Sequence, residues 1–116
     1  MEIRSQQYQG DVSILKVSAL PDGIDLKPMR EKTVNIGESR NHHHVAVADA
    51  GSQVLFADGG DGKTYMRIVS GTATLQHLAM PTRTKADHDP ITMPAGDYVF
   101  GIQYEYDELA DRKVID

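Results

Sequence analysis

Turn signals break this chain about every ten residues, and between them apolar and polar side chains alternate. No stretch of a dozen residues carries the 3.6-residue apolar spacing of an amphipathic helix. A chain patterned this way buries alternate side chains against a sheet. The expected fold is all-β and mainly antiparallel, a small barrel or sandwich with little or no helix. At 116 residues, with no linker, repeat or low-complexity tract, it forms a single β domain over residues 1–116.

The segments are legible one by one. Val12-Ser-Ile-Leu-Lys-Val17 is rich in β-branched residues and is entered from Gly10-Asp11, so it reads as a strand leaving a turn. Leu20-Pro-Asp-Gly23 is a turn, and Lys32-Thr-Val-Asn-Ile36 a second strand ended by Gly37. In Asn41-His-His-His-Val-Ala-Val-Ala48, period two puts His42, His44, Ala46 and Ala48 on one face and His43, Val45 and Val47 on the other. Asp49-Ala-Gly51 turns the chain again. Gln53–Phe56 and Thr64–Val69 flank Asp58-Gly-Gly-Asp-Gly62, the strongest hairpin signal present. Ser70-Gly71 reads as a turn into a separate strand, Ala73–Leu78. Pro81 to Asp89 is a polar loop, Pro90–Pro94 is extended, and Pro94-Ala-Gly96 turns into Asp97–Tyr106. There Tyr98, Phe100, Ile102, Tyr104 and Tyr106 share a face. The tail from Asp107 fits a helical turn or a short strand at Val114-Ile115.

Composition narrows the function classes. There is no cysteine, which excludes disulfides, thiolate zinc sites and cysteine nucleophiles. Net charge is −5 and the basic residues are scattered, so the average field repels a phosphate backbone and no nucleic-acid partner is expected. The N-terminal Met-Glu-Ile-Arg-Ser-Gln-Gln lacks the apolar core of a signal peptide. No apolar run approaches the ~20 residues that span a bilayer. A cytoplasmic protein with no membrane association is the expectation.

Histidines carry the chemistry. His42 and His44 point the same way from one strand, and two imidazoles at that spacing can converge on one ion. A third ligand must come from a neighbouring strand. His77 shares a face with Ala73 and Leu75 in a later strand, and His88 precedes the Pro90 segment, where it can close the site from a loop. The expected metal ligands are His42, His44, His77 and His88, with Glu38 as a carboxylate ligand or supporting group. Three or four neutral imidazoles suit a divalent transition metal such as Zn, Fe, Ni or Mn without selecting sharply among them. His43 faces away and is expected to be structural or exposed.

Other motifs carry less. Asp58-Gly-Gly-Asp-Gly62 lacks the alternating oxygen ligands and closing glutamate of a calcium loop and is a plain turn. The tyrosine stripe is the core face of a sheet or the lining of an apolar pocket. No phosphate-binding glycine loop and no serine nucleophile motif is present.

The His-x-His strand, the later histidine and the Pro-Ala-Gly turn into a strand resemble the cupin superfamily, small β-barrels that hold a metal with histidines inside the barrel. That likeness implies a cupin-like or jelly-roll-like form with His42, His44 and His77 as ligands. A second likeness covers Gln9 to Tyr106. Gln9-Gly-Asp-Val12, Gly37-Glu38, His42-x-His44, His77, His88-x-Pro-Ile91 and Pro94-x-Gly-x-Tyr98 resemble a group of short uncharacterised bacterial and phage proteins. It implies no activity.

Two functions follow as expectations. One is a metal-binding β domain in which an open coordination position would activate water or oxygen if the protein is catalytic. The other is a non-catalytic binding or assembly module, in which the histidines form a pH-sensitive surface and an open sheet edge meets a partner chain, a homo-oligomer included. A metal-free small-molecule binder is a third.

Overall fold

A computed structural model describes residues 2–34, 42–59 and 62–102. Nine strands follow in chain order: β1 Ile3–Gln9, β2 Val12–Val17, β3 Lys27–Pro28, β4 Glu31–Val34, β5 His42–Ala48, β6 Gln53–Asp58, β7 Thr64–Ala79, β8 Thr84–Lys85 and β9 Ile91–Ile102. No helix occurs among the described residues, and every strand pairing is antiparallel.

The main path of the sheet is β1-β2-β9-β7-β5-β4, with β6 and β3 added on β7 and β8 on the end of β7. β7 and β9 are its spine. Thr64–Ile68 of β7 pair with Phe100–Gly96 of β9, and Thr72–Leu75 pair with Pro94–Ile91. Between the two runs the register shifts. The predicted turns at Ser70-Gly71 and Pro94-Gly96 are therefore not turns. They lie opposite one another across a single ladder and bend both strands together. Gly71 at φ 84° and Gly96 at φ 147° supply backbone angles that a bend of this kind needs. The first half of β7 carries β6, and the second half carries β5 and then β4.

The bend makes two walls that face one core. It also changes which parity points inward. Thr64, Met66 and Ile68 are buried before it, and Ala73, Leu75 and His77 after it. In β9 the buried residue before the bend is Met93, and Tyr98 and Phe100 are buried after it. The core between the walls is built on Ile14, Phe56, Met66, Ile68, Leu75, Tyr98 and Phe100. Each such side chain withdrawn from water contributes about 1.5–3 kcal/mol. The Tyr98 hydroxyl donates to the Pro94 carbonyl at 2.7 Å, so its burial leaves no polar group unpaired, and that burial pushes its pKa up to about 12. A smaller cluster of Leu15, Val17, Leu20 and Val99 lies on the outer face of the β2–β9 pair, covered by Ile24 and Leu26.

Among the described residues the sheet is not closed by hydrogen bonds into a barrel. The chain itself crosses the gap: β3 pairs with β6 of one wall, and within three residues β4 pairs with β5 of the other. Two expected features are corrected in detail. Ala73–Leu78 is the continuation of the Thr64 strand rather than a separate one, and the Pro81–Asp89 loop contains the two-residue β8. Ile36, Gly37, Tyr104, Tyr106 and the tail from Asp107 lie outside the described residues.

Candidate functional site

β5 and β7 bring the predicted histidines together. His44 stands directly opposite His77 in the ladder, and His42 opposite Ala79. The His44 and His77 rings stack, with centroids 4.4 Å apart and planes 18° from parallel. His42 meets His77 edge-on at 5.4 Å, and His88 meets it tilted at 5.0 Å. Four rings from two strands and one loop thus form one cluster around His77. His44 and His77 are buried, His42 is half-buried, and His88 is exposed. His43 lies on the other face, opposite Leu78, as parity requires. Glu38 lies outside the described residues.

The residue that sequence reasoning left without a role is Gln9. It ends β1, is 2% exposed, and reaches across to the second wall. Its Nε2 donates to the Leu75 carbonyl and to the Asp89 carbonyl, both at 2.9 Å. The amide orientation is fixed by those two acceptors, so the oxygen faces His44. His44 Nδ1 lies 2.7 Å from Gln9 Oε1, and because Oε1 only accepts, Nδ1 carries the proton and Nε2 holds the lone pair. The signal that could have found Gln9 is its place immediately before the Gly10-Asp11 turn, in a segment otherwise polar.

Gly10 completes the arrangement. Gln9 pairs with Val12, so Gly10-Asp11 is a two-residue hairpin turn, and Gly10 takes φ 60° at its first position. A Cβ there would stand 2.8 Å from His88 Nε2 and 3.5 Å from His44 Cε1. The tip of the first hairpin therefore rests against the histidines, and a side chain at position 10 would require the His88 ring to shift.

His77 is held differently from His44. The His88 backbone N–H donates to His77 Nδ1 at 3.2 Å, and the Ala86 N–H donates to the His77 carbonyl at 2.8 Å. The neutral His77 ring thus carries its proton on Nε2. The two stacked rings hold opposite tautomers. Burial first, and then the neighbouring imidazoles, push the His44 pKa down from 6.5 to about 4, and the same causes lower that of His77. At neutral pH both are uncharged, the state a metal ligand or a proton acceptor requires.

Stacked rings aim their lone pairs along parallel planes, not at one point. Among the described residues no three histidine, aspartate or glutamate side chains already stand in the arrangement of a metal centre. The rings are gathered, with centroids 4.4 to 5.4 Å from that of His77. Two open grooves, of about 290 and 300 Å³, lie elsewhere, on either side of Met29, and share no residue with the histidines.

These features define an all-β protein with a half-buried histidine cluster at one end of a bent antiparallel sheet. The chain belongs to DUF8820, a family defined by a domain of unknown function, whose model matches residues 8–103. That span takes in Gln9, Gly10 and all four clustered histidines. No curated protein and no solved structure matches the chain.

Proposed function

We propose that the histidine cluster binds one divalent transition metal, with His44 as its anchor and His42, His77 and His88 as the remaining candidate ligands. The observation that carries this is the Gln9 clamp. A metal-ligating histidine nearly always donates its other ring N–H to an oriented acceptor, which fixes the ring and raises its basicity. Gln9 does this for His44, and it is itself buried and tied to two main-chain carbonyls. The lone pair on His44 Nε2 is left for a ligand.

The chemistry of His77 sets a condition. To ligate through Nε2 its proton must move to Nδ1, and a protonated Nδ1 cannot accept the His88 N–H. Metal capture by His77 therefore separates it from the His88 amide and shifts the loop that carries His88. A Zn, Fe, Ni or Mn ion held by three imidazoles would act as a Lewis acid toward a bound water.

Tag-free protein analysed for metal content tests the proposal. One equivalent of metal is expected, either as purified or after titration with Zn, Ni, Fe or Mn, and it is lost in His44→Ala/His77→Ala. In the loaded protein the His88 amide resonance should move. A protein that binds none of these ions at neutral pH refutes the proposal, as does one whose binding survives the double substitution.

A further inference from the structure

The free edges of the sheet are not alike. β3 is Lys27–Pro28, β4 is Glu31–Val34 with Lys32 inside it, and β8 is Thr84–Lys85. Each is four residues or fewer and holds a lysine or a proline, features that keep an edge from pairing with another chain. β1 runs seven residues and, among the described residues, pairs with β2 on one side only. From Ser5 to Gln9 it has neither charge nor proline. Its bulge and its Arg4 lie together at the outer end. Ile3 to Tyr8 are all exposed, contribute nothing to either core cluster, and include Ile3 and Tyr8 at 46% and 41% exposure. Among the described residues, Ile3 to Tyr8 thus extend in a strand without burying a side chain, and only Gln9 at its end is buried.

The ladder identifies the backbone groups that are free. Residues flanking a two-residue turn exchange both hydrogen bonds, and the pattern then alternates. Gln9, Gln7 and Ser5 turn their N–H and C=O groups toward Val12, Ile14 and Lys16. Tyr8 and Gln6 turn theirs outward, and Arg4, the extra residue of the bulge, has no ladder partner in β2.

We infer that β1 pairs antiparallel with β1 of a second copy of this chain, about a two-fold axis through Gln6. An axis normal to the sheet keeps each side chain on its own face. Gln6 then faces its own copy, Ser5 faces Gln7, and Tyr8 faces Arg4. Glutamine meets glutamine with no like charges opposed, and each Arg4 guanidinium meets a tyrosine ring rather than another cation. The outward groups of residues 4, 6 and 8 find partners. A strand-only contact falls below the ~1,200 Å² at which standard interfaces begin, so the dimer is reversible and forms with rising concentration. The inference does not depend on the metal proposal.

Sedimentation velocity of the full chain, in chelator so that histidines cannot bridge copies, is the test. The sedimentation coefficient should rise toward that of a dimer as concentration approaches about 1 mM. Gln6→Pro removes an outward N–H and leaves the Ser5, Gln7 and Gln9 bonds to β2, so it should remain monomeric with an unchanged far-ultraviolet spectrum. Should that variant fail to fold, Gln6→Lys and Gln6→Glu decide the matter. Each alone should be monomeric, because like charges meet at the axis, and an equal mixture should dimerise. A wild-type chain monomeric throughout overturns the inference. So does a dimer that survives Gln6→Lys and Gln6→Glu separately, or a mixture that stays monomeric.

Discussion

Replacing Gln9 with leucine isolates the clamp. The change keeps an extended side chain of similar size and removes every polar contact. Three partners lose their bonds: the Leu75 carbonyl, the Asp89 carbonyl and His44 Nδ1–H. The contacts to Leu75 and His44 are buried, whereas that to Asp89 is partly open to water, which can replace the amide there. A buried group left unpaired costs about 1–3 kcal/mol, so two of them cost about 2–6 kcal/mol. That is a large share of the ~5–15 kcal/mol by which domains of this size are stable. At roughly 4 °C per kcal/mol, the thermal midpoint should fall by about 8–24 °C. Urea unfolding followed by circular dichroism measures the loss directly, with Gln7→Ala on the exposed part of the same strand as control, expected to fall within about 0.5 kcal/mol of wild type. If Gln9→Leu loses less than about 1 kcal/mol, the clamp is not holding buried groups together and the argument built on it fails.

Two further outcomes follow from the same cluster. His44 titrates at about 4 in the folded chain against 6.5 when free, so the native state binds fewer protons; stability is complete above pH 6.5 and drains away as the pH falls toward 4, by at most about 3 kcal/mol, with His77 acting in the same direction. Urea midpoints of metal-free protein across that window should show the decline, and His44→Gln should flatten it. Gly10→Ala should cost about 1–2 kcal/mol through its positive φ and should also displace the His88 ring resonances, because the new methyl runs into that ring. Gly23→Ala, at φ 83° with nothing within 4 Å, should show the strain without disturbing His88.

Much of the architecture was legible because period two survives wherever one face is buried. Val12–Val17, the hairpin around Asp58–Gly62 and the split of His42 and His44 from His43 all follow from that parity. β1 was not legible, since a strand exposed on both faces leaves no apolar alternation. The bends in β7 and β9 were misread as turns because Ser70-Gly71 and Pro94-Gly96 carry the same residues a reversal would use. Only the pairing of one with the other distinguishes a bend from a reversal, and that information is nonlocal. The candidate site divides the same way. Facing histidines could be inferred along the chain, but Gln9 reaches His44 across 35 positions of sequence, and its place before the Gly10-Asp11 turn does not say which side chain it meets.

The bend in β7 has a consequence for the identity of the site itself. Counting from Met66 and Ile68 in steps of two would deliver Gln76, not His77, to the interior. The irregular stretch around Val69 to Gly71 resets that count, so a slip of one position there would exchange an imidazole for a carboxamide beneath Gln9 while every residue of the site remained in the gene. Whatever chemistry these histidines perform is thus written partly in a glycine that never touches them.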